Sequence, residues 1–241
     1  MDQLNQKKNY QPDGLLLVDK PTGWTSHDVV KKIKNYFQLK KVGHAGTLDP
    51  MATGLLILLI GKATKLSGSI MSSNKIYDGT IKLGVKTTTQ DVEGEIIETG
   101  DTKNVSIEDI KESANSFLGS SEQVPPMVSA IKKNGIPLYK LARKGITVER
   151  AARVINIFKF EIHSYLENQI NFTVECTKGT YVRTLANDLG EKIGCYACLS
   201  SLRRISSGEF NLTQSYKLSD LLEKNRNDLN NLLLKKKNNI I

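Results

Sequence analysis

Apolar residues follow two different periods along this chain, and their irregular alternation restricts the fold class more than any other feature. One strand is predicted at residues 15–18, and an apolar segment follows Gly54 as a second. Alternation predicts a third strand through Ile81, Leu83 and Val85 and a fourth at residues 170–176. One helix is predicted to begin after a cap at Thr25 or Ser26, with Val29, Ile33 and Phe37 on one face. A second helix is predicted from the shared apolar face of Leu185, Leu189 and Ile193, and Gly194 ends it. Because this order is not a regular βαβ series, the sequence predicts an α+β fold around a mixed, largely antiparallel sheet with flanking helices.

Composition excludes several protein classes. The 241 residues include 34 Lys and Arg against 25 Asp and Glu, and 39% are hydrophobic, which is ordinary for a globular protein. The longest apolar run, residues 55–60, is too short to cross a bilayer, and the polar N-terminus lacks the apolar core of a signal peptide. We therefore expect a cytoplasmic protein without membrane contact, whose three cysteines are reduced and whose basic surplus favours a polyanionic partner.

Residues 123–155 carry seven basic residues and one acidic residue, which is most of the surplus charge. The prolines and glycines of this segment predict an irregular arm with a short helix at residues 138–143. A basic surface that only faces water is one interpretation, and an arm that lies on nucleic-acid phosphates is the other. The basic residues are Lys132, Lys133, Lys140, Arg143, Lys144, Arg150 and Arg153.

Residues 41–54 form the segment with the most specific chemistry. Three glycines and a proline predict a tightly turned loop that holds the carboxylate of Asp49 on a rigid support. That carboxylate either acts in chemistry or caps a following helix, and His44 in the same loop has either a structural or a functional role. The pair Cys195 and Cys198 lacks a second pair of ligands, so we expect packed thiols and no metal.

The chain resembles the TruB family of pseudouridine synthases from Gly14 to about Gly208. The matching motifs occur in the family's order, at residues 20–26 (KPTGWTS), 43–50 (GHAGTLDP), 75–77 (KIY), 87–94 (TTTQDVEG), 123–127 (QVPPM), 138–145 (LYKLARKG), 178–184 (KGTYVRT) and 202–204 (LRR). The resemblance implies a polar N-terminal segment at residues 1–13 and a catalytic domain at residues 14–210. Within that domain, residues 123–155 correspond to the RNA-gripping thumb insertion.

The resemblance also implies a reaction. Enzymes of this family detach uracil from its ribose, rotate it and rejoin it through C5, which requires no cofactor. Asp49 would be the nucleophile, Arg183 would pair with it, and Tyr77 would stack on the base or relay the C5 proton. The substrate would be the T-loop uridine of tRNA, position 55 by tRNA convention, and this base would be flipped out of its stack. The enzyme would act as a monomer and would need no protein partner.

Five further residues receive supporting roles from the resemblance. His44 would fill the space vacated in the T loop or contact the displaced base, and Tyr181 would bind the substrate nucleotide. Leu202 would close the uracil pocket, and Lys20 would support the catalytic loop. Asp91 would hold the geometry between strand and loop or contact RNA.

The end of the chain departs from the family pattern. Bacterial members usually carry a C-terminal RNA-binding domain, whereas 31 residues follow Phe210 here. So short a segment without cysteine or histidine predicts a tail (residues 211–241) rather than a complete second domain, with a short packed helix at residues 213–222 and a basic end. Two alternatives remain: a tRNA-binding and tRNA-folding module with secondary or lost catalysis, and a guide-RNA-dependent synthase with protein partners.

Overall fold

The computed structural model describes residues 12–234. Its strands are β1 (Gly14–Lys20), β2 (Val42–Ala45), β3 (Thr53–Ile60), β4 (Lys75–Leu83), β5 (Val85–Thr87), β6 (Ile96–Thr99), β7 (Gly119–Gln123), β8 (Lys132–Lys133), β9 (Ile136–Pro137), β10 (Arg153–Leu166), β11 (Gln169–Cys176), β12 (Ala197–Ser207), β13 (Phe210–Asn211) and β14 (Tyr216–Lys217). Its helices are α1 (Ser26–Tyr36), α2 (Ser67–Met71), α3 (Ile107–Asn115), α4 (Leu138–Ala142), α5 (Val182–Ile193), α6 (Leu218–Leu221) and α7 (Leu229–Leu232), with 3₁₀ turns at Gly61–Leu66 and Leu212–Gln214. Between residues 12 and 234, no helix combines the length and the apolar character that a membrane span requires. The basic end at residues 235–237 and most of the predicted N-terminal segment lie outside the described residues.

The described residues form two compact units, of which the first consists of residues 12–75 and 203–234. Strand β1 lies between β3, which is antiparallel to it, and β14, which is parallel to it. Strand β2 pairs antiparallel with β3, and the end of β12 runs parallel to β3. One cluster of the apolar core lies on these strands and the 3₁₀ turn after β3, and its buried members are Leu15, Leu17, Ala45, Leu55, Ile57, Leu59 and Ala63.

Helix α1 begins where the sequence predicts. Thr25 is the N-cap and forms a capping box with Asp28, so two of the free N–H groups at the helix start have partners. Val29 and Ile33 are fully buried on one face, and Phe37 is buried at the C-cap. The predicted helix, its cap and its apolar face are therefore confirmed.

Gly54 lets the start of β3 approach the backbone of β12. Its φ is +95°, and a Cβ at this position would lie 2.8 Å from the backbone nitrogen of Arg204. We expect Gly54→Ala to lower the free energy of unfolding by about 2 kcal/mol or more, because the strained φ and the backbone contact add together. Urea unfolding measures this change.

The matched control for that prediction is Gly43→Ala on the neighbouring strand. A Cβ at Gly43 would have only Thr64 Cγ2 nearby, at 3.7 Å, which is ordinary contact. An equal loss of stability in both variants would contradict this explanation of Gly54.

The second unit, residues 76–202, contains an antiparallel arrangement of long strands. Strands β10 and β11 form a hairpin, and β7 pairs with the first part of β10 on its other side. Strand β4 lies next to β11, and the first part of β12 follows β4 in the order of strands. Together, both units confirm the predicted mixed sheet with flanking helices. The alternating residues 170–176 form β11 as predicted, with their apolar side chains buried.

The single strand predicted across residues 81–85 is wrong. Strand β4 ends at Leu83, and Gly84, with φ +87°, turns the chain before β5 begins at Val85. The N–H of Gly84 donates to the carbonyl of Tyr196 at 3.0 Å. The left-handed conformation of this glycine breaks the alternation that the sequence pattern suggests.

The arm at residues 123–155 has its base in a strand pair. Gln123, the last residue of β7, lies opposite Arg153, the first residue of β10. Between them, β8 and β9 form a small hairpin through Asn134 and Gly135, which both have positive φ. The predicted short helix follows as α4 (Leu138–Ala142) and is confirmed.

The single helix predicted at residues 213–222 is wrong. A 3₁₀ turn capped by Asn211 comes first, then β14, and then the short helix α6. Tyr216 and Lys217 are extended because they add to the edge of β1, which interrupts any continuous helix. The residues after α6 also belong to the first unit. At the end of the described residues, the backbone of Leu234 exchanges two hydrogen bonds with that of Leu15.

Candidate active site

The loop between β2 and β3 carries Asp49, and buried groups hold the residue after it. Lys20 is fully buried, and its Nζ donates to the carbonyls of Trp24 at 2.6 Å, Pro21 at 2.9 Å and Pro50 at 3.2 Å. The N–H of Gly23 donates to the same Pro50 carbonyl at 2.9 Å. The carbonyl of Pro50 therefore has two donors, Lys20 Nζ and the N–H of Gly23.

A second anchor holds the residue before Asp49. The hydroxyl of Ser26 accepts from the N–H of Leu48 at 2.8 Å and donates to its carbonyl at 3.1 Å. Ser26 and Leu48 are both buried. The backbone of Asp49 is therefore fixed on both sides, and its carbonyl also accepts from Ala52 at 3.1 Å.

Asp49 does not cap a helix. The segment that follows it is strand β3, beginning at Thr53. The interpretation that its carboxylate caps a following helix is therefore wrong. Asp49 is half-buried on a loop that is fixed at both neighbouring residues, so the position of its backbone is defined.

His44 lies in β2, opposite Leu58 of β3. Its Nδ1 is buried and has no hydrogen-bond partner among residues 12–234. Burial lowers the pKa of this imidazole below its ordinary value of 6.5, and the nearby charge of Arg204 lowers the pKa further. Both effects favour the neutral imidazole. Arg204 itself is buried, and it donates to the carbonyls of Leu55 at 2.7 Å and Gly46 at 3.2 Å.

The lowered pKa of His44 predicts a pH dependence of stability. Since the unfolded chain takes up this proton at a higher pH than the folded chain, the free energy of unfolding falls as the pH drops below 6.5. We expect His44→Gln to lose less stability than wild type between about pH 7.5 and about pH 5.5 in urea unfolding. An identical pH dependence of both proteins would contradict this assignment.

In the second unit, Arg183 is the most constrained of the predicted site residues. It lies in the first turn of α5 with 2% of its side chain exposed, and its Nε is 3.6 Å from Oδ2 of Asp91. Its Nη1 donates to the carbonyl of Thr89 at 2.9 Å, and its Nη2 donates to that of Val128 at 2.8 Å. These contacts fix the plane of the guanidinium.

Asp91 is buried in the turn at residues 87–94. Its carboxylate accepts from the hydroxyl of Thr89 and, at 3.1 Å, from the N–H of Glu93. Its backbone forms an isolated bridge with Leu199 of β12. The structure therefore gives Asp91 a role in turn geometry and in orienting Arg183.

Tyr181 is the N-cap residue of α5. Its backbone is held by Gln123, the first residue of the predicted arm, to which the sequence analysis assigned no role in the site. The Oε1 of Gln123 accepts from the N–H of Tyr181 at 2.8 Å, and its Nε2 donates to the carbonyl of Tyr181 at 3.1 Å. Ser26 and Arg204 were also assigned no role in the site. Gln123, Ser26 and Arg204 each lie inside one of the family motifs, and that position was the only feature of the sequence that pointed to them.

The predicted residues thus form two groups. Lys20, His44 and Asp49 lie in the first unit, and the second unit brings Asp91, Tyr181 and Arg183 together. Tyr77 is half-buried near the start of β4, and Leu202 is 8% exposed in β12. The pairing of Arg183 with Asp49 stays a prediction.

The arm exposes most of its cations. Lys132, Lys133, Lys140, Lys144 and the side chains of Arg143 and Arg153 face solvent in the described structure. Arg150 differs because it is half-buried, and its Nη1 donates to the carbonyl of Pro125 at 3.0 Å. Arg150 therefore holds the fold of the arm. Among the six exposed cations, Lys133 Nζ donates to the carbonyl of Glu149 at 3.1 Å, and Arg143 lies over the ring of Tyr139.

The three cysteines are buried free thiols. Burial raises the pKa of Cys198 to about 11, so this thiol is protonated at neutral pH. Residues 12–234 contain no group of three or more His, Cys, Asp or Glu side chains arranged to hold a metal ion.

Comparisons with known proteins agree with the motifs. The family model "TruB family pseudouridylate synthase (N terminal domain)" matches residues 34–182, and "tRNA pseudouridylate synthase B C-terminal domain" matches residues 183–236. The second match begins within α5, so the predicted division at residue 211 does not coincide with the family's division.

Similar proteins point to the same family. A protein of Opitutus terrae named tRNA pseudouridine synthase B is 50% identical over 206 residues, 86% of this chain and 86% of that protein. One of Geobacter sulfurreducens with the same name is 46% identical over 88% of this chain and 69% of its own length. A solved Cbf5-Nop10-Gar1 complex matches with a TM-score of 0.69 and 30% identity over 87% of this chain, which spans about half (54%) of that longer chain. The chain therefore belongs to the TruB family of tRNA pseudouridine synthases.

Proposed function

We propose that this chain converts uridine to pseudouridine in the T loop of tRNA, at position 55 by tRNA convention, with Asp49 as nucleophile. The observation that carries the proposal is the fixation of the Asp49 loop by Lys20 and Ser26 on either side of the carboxylate. The names of relatives that are 46% to 50% identical support tRNA as the substrate.

The reaction is an isomerisation whose atoms balance without a cofactor. The bond between C1′ and N1 of uracil breaks, the base rotates, and a bond forms between C1′ and C5. The proton on C5 leaves to a base, and N1 gains a proton. Attack of the Asp49 carboxylate at C1′ is the simplest covalent route, because uracil then departs as the leaving group. After rotation, C5 attacks C1′ and displaces the Asp49 carboxylate, which breaks the bond between Asp49 and C1′.

Residues of the second unit have complementary roles. Asp91 and the carbonyls of Thr89 and Val128 orient the buried guanidinium of Arg183, which is the cation assigned to pair with a carboxylate in the proposed reaction. Tyr77 stacks on the flipped uracil, which contributes about 1–3 kcal/mol and offsets the few kcal/mol that flipping costs. Tyr181 and Leu202 complete the pocket for the nucleotide.

The arm supplies cations for the RNA backbone. RNA loops are recognised by shape and by splayed bases, with Lys and Arg on the phosphates. The six exposed cations of the arm fit this role, whereas Arg150 is engaged with Pro125.

We expect the double variant Lys132→Ala and Lys140→Ala to weaken tRNA binding mainly at low salt. Each lost phosphate contact lowers the slope of log affinity against log salt by about 0.7 to 0.9, so the double variant loses about 1.4 to 1.8. Filter binding over a salt series measures the slope. The matched control, Lys103→Ala with Lys111→Ala, removes two exposed lysines outside the arm, and an equal change there would contradict the assignment.

The position of the product tests the proposed target. An unmodified tRNA transcript is incubated with the protein, and pseudouridine is mapped by carbodiimide labelling and primer extension. The proposal requires a stop that reports position 55. Binding without any product would favour the alternative of a tRNA-folding module, and a stop elsewhere would contradict the target.

A further inference from the structure

The buried amide of Gln123 forms hydrogen bonds with both backbone groups of Tyr181, a proposed substrate-binding residue. Gln123 is 5% exposed, so both of its hydrogen bonds are shielded from water. The partner, Tyr181, is the residue from which α5 starts. The two hydrogen bonds to its N–H and carbonyl restrict the φ and ψ of Tyr181 directly.

Helix α5 begins at Tyr181 without a side-chain cap hydrogen bond. The φ of −97° and ψ of 105° are the extended values usual for an N-cap residue, so the Gln123 amide holds the backbone at the point where the helix begins. Its carbonyl accepts from the N–H of Leu185 at 3.1 Å as well as from Gln123. The direction in which α5 leaves Tyr181, and with it the place of Arg183, therefore depends on the Gln123 amide.

Gln123 also lies where the arm meets the sheet. It pairs with Arg153, so the arm leaves and returns at this point. A second hydrogen bond joins α5 to the arm: Nη2 of Arg183 donates to the carbonyl of Val128 at 2.8 Å. The first turn of α5 is therefore held to the base of the arm at two places.

We propose that Gln123 is a positioning residue that fixes Tyr181, and through the first turn of α5 also Arg183, relative to the base of the RNA-binding arm. This inference rests on the proposed function, because it takes Tyr181 and Arg183 as residues that meet the substrate. Gln123 touches neither the substrate nor the reacting atoms in this account. Its removal should change the rate of the reaction and leave the affinity for tRNA almost unchanged.

The test compares Gln123→Met with wild type in single-turnover and steady-state assays on tRNA. Methionine keeps the length of the side chain and removes both hydrogen bonds. We expect kcat to fall about 10- to 100-fold, the size of effect that a small misplacement produces, while KM and the tRNA Kd change less than about threefold. We also expect faster hydrogen exchange at the Tyr181 amide.

The matched control is Gln169→Met in the same unit. The side chain of Gln169, at the start of β11, makes no hydrogen bond among residues 12–234. We expect its kcat and its Tyr181 exchange to equal those of wild type. An unchanged kcat in Gln123→Met, or a loss that appears equally in KM, would overturn the inference.

Two further outcomes are decided in the same experiment. If Gln123→Met is unfolded at the assay temperature, Gln123→Glu replaces it, because this variant keeps the acceptor for the Tyr181 N–H and loses the donor. A Gln123→Glu protein with wild-type kcat then overturns the inference, and one with reduced kcat and unchanged Kd supports it. Wild-type protein that is inactive on tRNA overturns the proposed function and this inference together, whereas active wild type beside an equally active variant overturns the inference alone.

Discussion

Asp49→Asn should abolish pseudouridine formation while the protein stays folded and binds tRNA. The substitution keeps the size of the side chain and removes the nucleophilic carboxylate, and loss of such a group lowers kcat by about four orders of magnitude or more. The loop itself should persist, because Lys20 and Ser26 hold the backbone of Pro50 and Leu48 and do not depend on the Asp49 side chain. Tritium release from C5-labelled tRNA in single turnover measures the loss.

Asp101→Asn is the matched control for this prediction. Asp101 is an exposed carboxylate that accepts from the N–H of Lys103 at 3.0 Å, a contact that asparagine retains. We expect wild-type rates from this variant. Residual activity of Asp49→Asn within about tenfold of wild type would mean that another group is the nucleophile.

Arg183→Met should be the most destabilising single change in the second unit. It leaves the carboxylate of Asp91, 6% exposed, without its cation, and it leaves the carbonyls of Thr89 and Val128 without their donors. Removing one partner of a buried ion pair costs about 3–5 kcal/mol. Urea unfolding of the purified variant measures the change, and activity should be lost as well.

The double variant Arg183→Met with Asp91→Leu separates stability from activity. Asp91→Leu removes the unpaired buried charge, so we expect the double variant to regain part of the stability lost in Arg183→Met. The recovery is incomplete because the hydroxyl of Thr89 and the N–H of Glu93 lose their acceptor. Activity should stay absent, since the guanidinium is still missing. A double variant as active as wild type would show that Arg183 acts only in folding.

The elements with strong local periodicity were predictable from the sequence. Helix α1 with its Thr25 cap, strand β11 and helix α5 with Gly194 as C-cap all follow from apolar spacing and capping residues. In each of them, local preference and tertiary burial favour the same conformation. The mixed sheet follows from the irregular order of these elements.

Two local errors have tertiary causes. The break at Gly84 depends on a hydrogen bond to Tyr196, which is distant in sequence. The extended conformation at Tyr216 depends on the edge of β1, to which β14 adds. Periodicity contains no information about either partner, so it predicted one strand in the first place and one helix in the second.

The motifs supplied candidate site residues, but not the contacts that hold them. Lys20 was expected near the catalytic loop, yet its grip on the Pro50 carbonyl is a contact between distant segments. Likewise, Asp91 and Arg183 meet because the turn at residues 87–94 packs beside α5. Long-range pairs of buried polar groups appear only when the fold brings them together.

Tritium release from C5-labelled, unmodified tRNA by the wild-type protein tests the central claim most directly. The assay runs beside the same tRNA with cytidine in place of the T-loop uridine at position 55. We predict release of one tritium per tRNA from the first substrate and none above background from that position in the second. Binding of tRNA without release, or equal release from both substrates, would contradict the account.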